Sequence, residues 1–197
     1  MVHGVKVLVN DKTATKPRHA ARAVMESYLG GMPKVVITGP ESSGKTTLAM
    51  DLSAHFDVPW VPEQARPYLE ARQGLYGEAD LLQIAQAQVA AEDLHGDTDL
   101  LICDTDLITI RIWGEEKYGR SDPWIVRATE ERTYDHWLLC SPDMAWEPDP
   151  LRENPHDRER LFEVYRDLLT RLGRPFTIIS GDPDERLRAA VTAVMRL

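Results

Sequence analysis

The sequence predicts an α/β fold in which a five-stranded parallel sheet lies between two layers of helices. Short apolar runs alternate along the chain with longer stretches in which apolar residues recur at helical spacing. Uninterrupted apolar runs are typical of parallel strands that are buried on both faces. The five predicted strands are Val35–Thr38, Val58–Val61, Leu100–Cys103, Trp137–Cys140 and Phe176–Ile179. Ligands of such sheets bind beyond the carboxyl ends of the strands, so the residues after each run are site candidates.

Helical spacing of apolar residues predicts what covers the sheet. The stretch from Thr46 to His55 follows the first strand, and three later segments each place apolar residues on one face. These residues are Leu82, Ala85 and Val89, then Leu161, Tyr165, Leu168, Leu169 and Leu172, and finally Leu187, Ala190, Val191 and Val194. We therefore expect one three-layer α/β/α domain over residues 34–197. The long Pro- and charge-rich connection from Ser141 to Arg160 is a candidate lid.

The first 33 residues are the least informative part of the chain. Val5, Val7 and Val9 alternate with other residues as in a short strand, and residues 19–29 fit a helix that ends at Gly30. We treat residues 1–33 as an N-terminal extension whose role the sequence does not indicate.

The net charge limits the partners of the chain. The 197 residues carry a formal net charge of −9, and 43% of them are hydrophobic. Non-specific nucleic-acid binding needs lysines and arginines that displace counterions from phosphates, so no nucleic-acid partner is expected. A small anionic ligand is still compatible, because backbone N–H groups and a few cations can bind phosphate inside an acidic protein.

The two cysteines and the lack of long apolar stretches indicate the compartment. Cys103 and Cys140 end apolar runs, so we expect core thiols rather than disulfides or zinc ligands. The sequence contains neither a signal-peptide pattern nor a run of about 18 apolar residues. We expect a cytoplasmic protein without a membrane partner; the pattern leaves the oligomeric state open.

A phosphate-binding loop is the strongest motif. Residues 39–46 read Gly-Pro-Glu-Ser-Ser-Gly-Lys-Thr and match G-x-x-x-x-G-K-[ST] between a predicted strand and a predicted helix. In this motif backbone N–H groups surround the phosphates, Lys45 reaches the β- and γ-phosphates, and the Thr46 hydroxyl can ligate Mg²⁺. We therefore expect ATP and Mg²⁺ as cofactors. The predicted nucleotide-binding residues are Gly39, Glu41, Ser42, Ser43, Gly44, Lys45, Thr46 and Thr47.

Acidic residues follow two of the predicted strands. Asp104 ends the third strand in the arrangement that holds magnesium in phosphate-loop enzymes, and Asp106 follows it closely. The alternative is that both cap the next helix. Glu63 follows the second strand and is a candidate base for an attacking hydroxyl, while Arg66 is a candidate to hold substrate or phosphate. A solvent-exposed ion pair between Glu63 and Arg66 is the competing interpretation.

The candidate lid contains cations and aromatic residues. Arg152 is the strongest candidate for closing over a transferred phosphate, whereas Arg158 and Arg160 open a charged helix and can be explained by solvation alone. Trp113 and Trp146 lie outside the apolar runs. Such aromatic side chains either stack on a flat or cationic ring or pack beneath a loop.

Taken together, these motifs resemble the ribosylnicotinamide kinase domain of bacterial NadR-type regulators of NAD biosynthesis. The resemblance extends from about Lys34 to the C-terminus. The matching elements, in order, are Gly39–Thr47, Glu63 to Arg66 with Tyr68 and Leu69, Ile84, Ala85 and Gln88, Asp104 to Asp106 with Thr109, Tyr134 and Asp135, and Pro142, Trp146, Asp149 and Arg152.

The resemblance implies a specific reaction. ATP would phosphorylate the 5′-hydroxyl of nicotinamide riboside, with either Glu63 or Asp104 as the base. It also implies that Asp106 contacts the riboside and that an aromatic such as Trp113 stacks on the cationic pyridinium ring. Gln64 departs from the family pattern, which has an aromatic residue in this E-Y-x-R element. The sequence also lacks the H-x-G-H motif of the adenylyltransferase module and has no room for a DNA-binding domain.

Two other functions remain compatible with the sequence. A kinase for another nucleoside, sugar or vitamin would share the phosphate loop and lid but have a different pocket. A nucleotide-dependent regulatory ATPase would share the loop alone and would need a switch or partner surface. The paired acids at the strand ends and the lid favour a kinase of small molecules.

Overall fold

The computed structural model describes residues 33–95, 98–151 and 156–197. The strands are β1 (Lys34–Thr38), β2 (Trp60–Val61), β3 (Leu101–Asp104), β4 (His136–Cys140) and β5 (Phe176–Ile179). The helices are α1 (Lys45–Phe56), α2 (Ala65–Glu70), α3 (Glu78–Asp93), α4 (Leu107–Tyr118), α5 (Pro123–Glu131), α6 (Arg158–Arg171) and α7 (Pro183–Val194). The predicted N-terminal strand at Val5, Val7 and Val9, the predicted helix over 19–29 and the lid residue Arg152 lie outside the described residues.

The five strands form one parallel sheet in the order β2-β3-β1-β4-β5. The central strand β1 is flanked by β3, where Ile37 pairs with Asp104, and by β4, where Thr38 pairs with Leu139. The carboxyl ends of these strands therefore meet at one edge of the sheet, beside the start of the phosphate loop. This confirms the predicted fold class and fixes where the site candidates converge.

Side chains of successive strand residues cover opposite faces of the sheet, as the two-residue period of a strand requires. On one face Val35 and Ile37 pack against α1 and α7. On the other face Val36 and Trp137 pack against α4 and α6. A third apolar cluster joins α2, α3, α4 and α5 beside the sheet and contains Ile84, Leu107 and Ile125. Cys103 and Cys140 are buried free thiols, as expected.

The second strand is shorter than predicted because its first residues close the preceding helix. Asp57 adopts a left-handed conformation at the end of α1. The Val58 N–H then donates to the Ser53 carbonyl at 3.1 Å, and the Ser53 hydroxyl donates to the Val58 carbonyl at 2.6 Å. These bonds use the polar groups that Val58 would need for strand pairing, so β2 begins at Trp60.

The buried face of α3 differs from its predicted apolar face. Leu81, Ile84 and Ala85 are buried as core residues, but the same face continues with Gln88 and Glu92. Leu82 and Val89 are only partly buried. Apolar periodicity could not identify this face, because two of its buried positions are polar. Among the residues that the structure describes, no helix combines the length and apolarity required to cross a bilayer.

Candidate active site

The backbone of the phosphate loop requires glycine at its two ends. Gly39 has a φ of 133°, and a Cβ there would lie 2.7 Å from the Cys140 carbonyl oxygen of the neighbouring strand. Gly44 has a φ of 77° at the residue before α1, and a Cβ there would lie 2.8 Å from the Met144 sulfur. The loop is therefore packed between β4 and the beginning of the lid. Its close approach to both explains why the motif tolerates no side chain at these positions.

Polar side chains of the loop turn toward its own backbone. The Lys45 ammonium donates to the Pro40 carbonyl at 2.8 Å. The buried Ser43 hydroxyl donates to the same carbonyl, also at 2.8 Å. The Pro40 carbonyl thus holds the Lys45 ammonium inside the loop. A lysine at this position of the motif is long enough to contact a phosphate oxygen when a nucleotide binds.

Asp104 lies behind the loop and contacts its threonine. The Thr46 hydroxyl donates to Asp104 Oδ2 at 2.7 Å, and Asp104 is 1% exposed. Among the described residues, no donor reaches the other carboxylate oxygen, Oδ1. Burial raises the pKa of Asp104, while the Thr46 hydroxyl and the charge of Lys45 oppose that shift. A buried carboxylate oxygen without a partner, beside a hydroxyl, is a donor set that suits Mg²⁺.

Glu63 lies on the wall of a cleft that the phosphate loop also lines. Burial raises the pKa of Glu63; Lys45 acts against this shift, and Asp104 adds to it. The charges of the loop lysine and of both candidate bases therefore interact across a short distance. Arg66 also lines the cleft, but its guanidinium donates to Asp149 of the lid at 2.9 Å. An ion pair to Glu70 at 3.6 Å completes its contacts, so Arg66 links α2 to the lid.

The cleft holds about 260 Å³ and joins most of the predicted site residues. The eight predicted nucleotide-binding residues, together with Glu63, Arg66 and Trp113, line its wall. The Trp113 indole N–H donates to the Tyr76 hydroxyl at 2.8 Å, and the two rings meet edge to face. Trp113 is thus held in a fixed orientation on the wall of the cleft.

Most of the charged side chains among the described lining residues are acidic. The acids are Glu41, Glu63, Glu116 and Glu147, and the bases are Lys45 and Arg66. Glu116 pairs with Arg160, and the charged side chains that line the cleft leave a negative excess, which favours a positively charged ligand.

Asp106 does not lie on the cleft wall, although it was predicted to contact a substrate there. Its Oδ1 accepts from the Ile108 N–H at 3.1 Å at the start of α4. Its Oδ2 accepts from the Trp137 indole at 2.9 Å. Asp106 is 1% exposed, and burial raises its pKa to about 7. Asp106 therefore caps α4, which is the alternative role that the sequence left open for it.

Trp146 also lies outside the lining of the cleft. Its ring faces the guanidinium of Arg158 at 5.6 Å from the ring centroid. Arg158 in turn donates to the carbonyls of Ser42 and Met144, each at 3.0 Å. Trp146 and Arg158 therefore fasten the beginning of the lid to the outside of the phosphate loop.

A protein-family model described as an AAA domain matches residues 34–186. The chain belongs to this AAA-domain family. A search of curated proteins gave no significant match.

Solved structures with the same fold as this AAA-domain protein include NadR and nucleoside kinases. NadR in complex with NAD and AMP-PNP has a TM-score of 0.72 and 21% identity over 91% of this chain and 51% of that chain. NadR in complex with NR has a TM-score of 0.73 and 21% identity over 84% of this chain and 50% of that chain. Deoxyadenosine kinase from M. mycoides with bound dATP has a TM-score of 0.59 and 15% identity over 82% of this chain and 98% of that chain.

These neighbours confirm the phosphate-loop kinase fold and, at the level of fold, the resemblance to NadR. This AAA-domain protein spans about half the length of the NadR chains, which are 51% and 50% covered.

Sequence reasoning missed Arg186, which braces the phosphate loop of this AAA-domain protein from outside. Arg186 is 3% exposed and donates to the carbonyls of Ser43, Ser141 and Gly181, each at 2.9 Å, and to the carboxylate of Asp143. It therefore joins the loop to the segments that follow β4 and β5. The one sequence signal was an arginine on the otherwise apolar face of the predicted last helix, next to Leu187 and Ala190.

Proposed function

We propose that this chain is an ATP-dependent kinase that phosphorylates the 5′-hydroxyl of nicotinamide riboside and releases nicotinamide mononucleotide and ADP. The observation that carries the proposal is a cleft in which the phosphate loop shares its lining with an acid, Glu63, and an aromatic side chain, Trp113. A regulatory ATPase needs no second pocket opposite its phosphates, whereas a kinase needs one for the acceptor.

The nucleotide half of the proposed reaction uses the loop. Backbone N–H groups from Gly39 to Thr46 would surround the phosphates, and Lys45 would leave the Pro40 carbonyl to contact the β- and γ-phosphates. Thr46 and Asp104 would hold Mg²⁺, since the free Oδ1 of Asp104 fits a cation. The metal would supply positive charge that neutralises the phosphates during transfer.

The acceptor half of the proposed reaction uses the opposite wall. Glu63 would accept the proton of the attacking hydroxyl, and its raised pKa brings it closer to the working pH than an ordinary glutamate. Asp104 is the alternative base, but its contact with Thr46 favours the metal role. Arg66, held by Asp149 of the lid, would contact the sugar or the phosphate. Phosphoryl transfer depends on placing the attacking hydroxyl in line with the γ-phosphate more than on covalent chemistry from the protein.

Two features support a cationic, flat-ring acceptor. Trp113 presents a fixed aromatic ring, which attracts a cationic ring over its face. The acidic lining of the cleft also favours the pyridinium ring of nicotinamide riboside over a neutral base. The similar NadR structures are complexes with NAD and with NR, which is consistent with this choice.

A kinase for another nucleoside is the second candidate. Gln64 stands where the resemblance leads us to expect an aromatic residue, and its side chain donates to the Pro62 carbonyl at 2.8 Å. The similar fold of a deoxyadenosine kinase shows that this architecture also serves neutral bases.

The test is ADP release from ATP·Mg²⁺ with nicotinamide riboside, adenosine, deoxyadenosine, uridine and thymidine added singly. We expect turnover above the basal rate with nicotinamide riboside, and identification of the phosphorylated product by mass. Selective turnover with a neutral nucleoside would replace the acceptor but keep the kinase. Basal turnover alone, unchanged by every acceptor, would contradict the proposal.

A further inference from the structure

Gln88 connects the two strand ends that carry the candidate acids. It lies on α3, is 1% exposed, and does not line the cleft. Its Oε1 accepts from the Gln64 N–H at 3.1 Å, beside Glu63. Its Nε2 donates to the Thr105 carbonyl at 3.5 Å, beside Asp104. One buried amide thus spans the segments after β2 and after β3.

The partners of this amide permit only one orientation. A backbone N–H can only donate and a carbonyl can only accept, so the Gln88 oxygen faces Gln64 and its nitrogen faces Thr105. The nitrogen also donates to Glu92 at 3.4 Å. Glu92 is itself fully buried and accepts from the Tyr134 hydroxyl at 2.7 Å. Because each member is satisfied by the next, the network holds Gln88 in a fixed position.

The sheet itself does not hold these two segments together. The register of β2 and β3 ends at the pair Val61 and Cys103, before Glu63 and at the residue preceding Asp104. Beyond that pair Thr105 adopts a φ of 69°, which is an unusual conformation for a β-branched residue and persists only where surrounding contacts impose it. Asp104 still pairs with Ile37 of β1, and the Thr105 N–H donates to the Ile37 carbonyl at 2.9 Å. The bonds of Gln88 therefore tie the segment of Glu63 to a strand end that β1 anchors.

We propose that Gln88 is a positioning residue for phosphoryl transfer, because its amide sets the separation of Glu63 and Asp104. The inference rests on the proposed kinase function and assigns no contact between Gln88 and the substrate. A core amide that served stability alone would affect nucleotide binding and acceptor transfer equally when removed. A positioning residue would affect transfer to the acceptor far more than ATP binding.

The variant that tests this is Gln88→Met, which keeps the length of the side chain but removes both hydrogen-bonding groups. The matched control is Gln86→Met, an exposed position of the same helix. We expect Gln88→Met to lower kcat for acceptor phosphorylation about thirtyfold, since a misplacement near 1 Å reduces turnover by roughly a hundredfold. The dissociation constant for ATP should change by less than about twofold, because Gln88 is proposed to act on the transfer step and not on ATP binding.

Amide hydrogen exchange supplies a reading that does not depend on activity. In Gln88→Met the Gln64 N–H loses its acceptor, so its exchange should accelerate, while amides within α1 keep their wild-type rates. If Gln88→Met does not fold, Gln88→Asn gives the same reading, because its shorter side chain retains an amide that cannot reach both segments. Kinetics should be compared at equal intervals below each thermal midpoint.

The outcomes separate the two proposals. Faster exchange at Gln64 together with a selective loss of acceptor turnover supports the role of Gln88. Unchanged exchange, wild-type turnover, or parallel losses of ATP affinity and turnover would overturn it while leaving the kinase intact. A wild-type chain that phosphorylates no acceptor would refute the proposed function and this inference with it.

Discussion

The two ends of the cleft are built in different ways. The phosphate end comes from one contiguous segment, residues 39–47, whose key contacts are internal, such as those of Lys45 and Ser43 with the Pro40 carbonyl. The acceptor end is assembled from the segment after β2, from α4 and from the lid, so that Glu63, Trp113 and Asp149, the partner of Arg66, come from distant parts of the sequence. The first end is therefore specified locally, whereas the second depends on how the helices pack.

This difference predicts which substitutions affect every substrate and which affect only the acceptor. Changes at the phosphate end should reduce all turnover alike. Changes at the acceptor end should leave ATP binding intact.

Lys45→Ala should have the largest effect. It removes the only lysine among the described lining residues, and turnover should fall about a thousandfold, because a preorganised charge at the transferred group contributes on that scale. ADP release measured with and without acceptor should fall together. Lys34→Ala, at the other end of β1, is the matched control and should remain near wild type. If Lys45→Ala kept its activity, the assignment of residues 39–47 as the phosphate-binding part of the cleft would be wrong.

Asp104→Asn should lower turnover by roughly a few hundredfold, because it removes charge from the proposed metal site. The fold should persist, since the Asn oxygen can still accept from Thr46. The raised pKa of Asp104 means that its ionised form destabilises the folded state at neutral pH. The thermal midpoint should therefore be no lower than that of wild type. Added Mg²⁺ should restore part of the activity of Asp104→Asn, and the exposed Asp99→Asn serves as control. A midpoint well below that of wild type would indicate a structural role instead.

The contrast between the two ends also explains how far the sequence is predictive. The phosphate loop could be predicted residue by residue, because its motif, its strand and its helix are adjacent in the chain. For Asp106 the sequence left a substrate contact and a helix cap open; the structure shows the cap, together with a contact to Trp137 that no motif indicates. Arg186 was missed, and Gln88 was named without a role, because most of their partners are backbone groups, which have no signature in the sequence.

The apolar pattern was most reliable where burial is purely apolar. On α6, Leu161, Tyr165, Leu168 and Leu169 were predicted to share a face and are buried together. On α3 the pattern failed, because Gln88 and Glu92 occupy the buried face as a hydrogen-bonded pair.

Glu63→Gln tests the acceptor end and should lower acceptor phosphorylation about a hundredfold, the usual contribution of a general base. ATP binding should be retained. In the wild type the base must be ionised, so turnover should fall as the pH drops through the pKa of Glu63, which burial raises above its ordinary 4.5. The acid limb of the pH–rate profile should therefore lie above the position for an ordinary glutamate and disappear in Glu63→Gln. An unchanged profile would transfer the role of base to Asp104.

Trp113→Leu should have the smallest effect and be the most selective. Leucine keeps an apolar side chain against the cluster that contains Ile84, Leu107 and Ile125, but removes the ring and its bond to the Tyr76 hydroxyl. If the ring stacks on a cationic acceptor, the KM for nicotinamide riboside should rise about tenfold, as expected for a lost cation–π contact of 1 to 2 kcal/mol. The KM for ATP should stay within about twofold, because Trp113 is not part of the phosphate loop. A neutral nucleoside that loses as much affinity as nicotinamide riboside would show that the ring acts by shape alone. Equal rises in the KM for ATP and in the KM for the acceptor would mean that Trp113 affects the binding of both substrates.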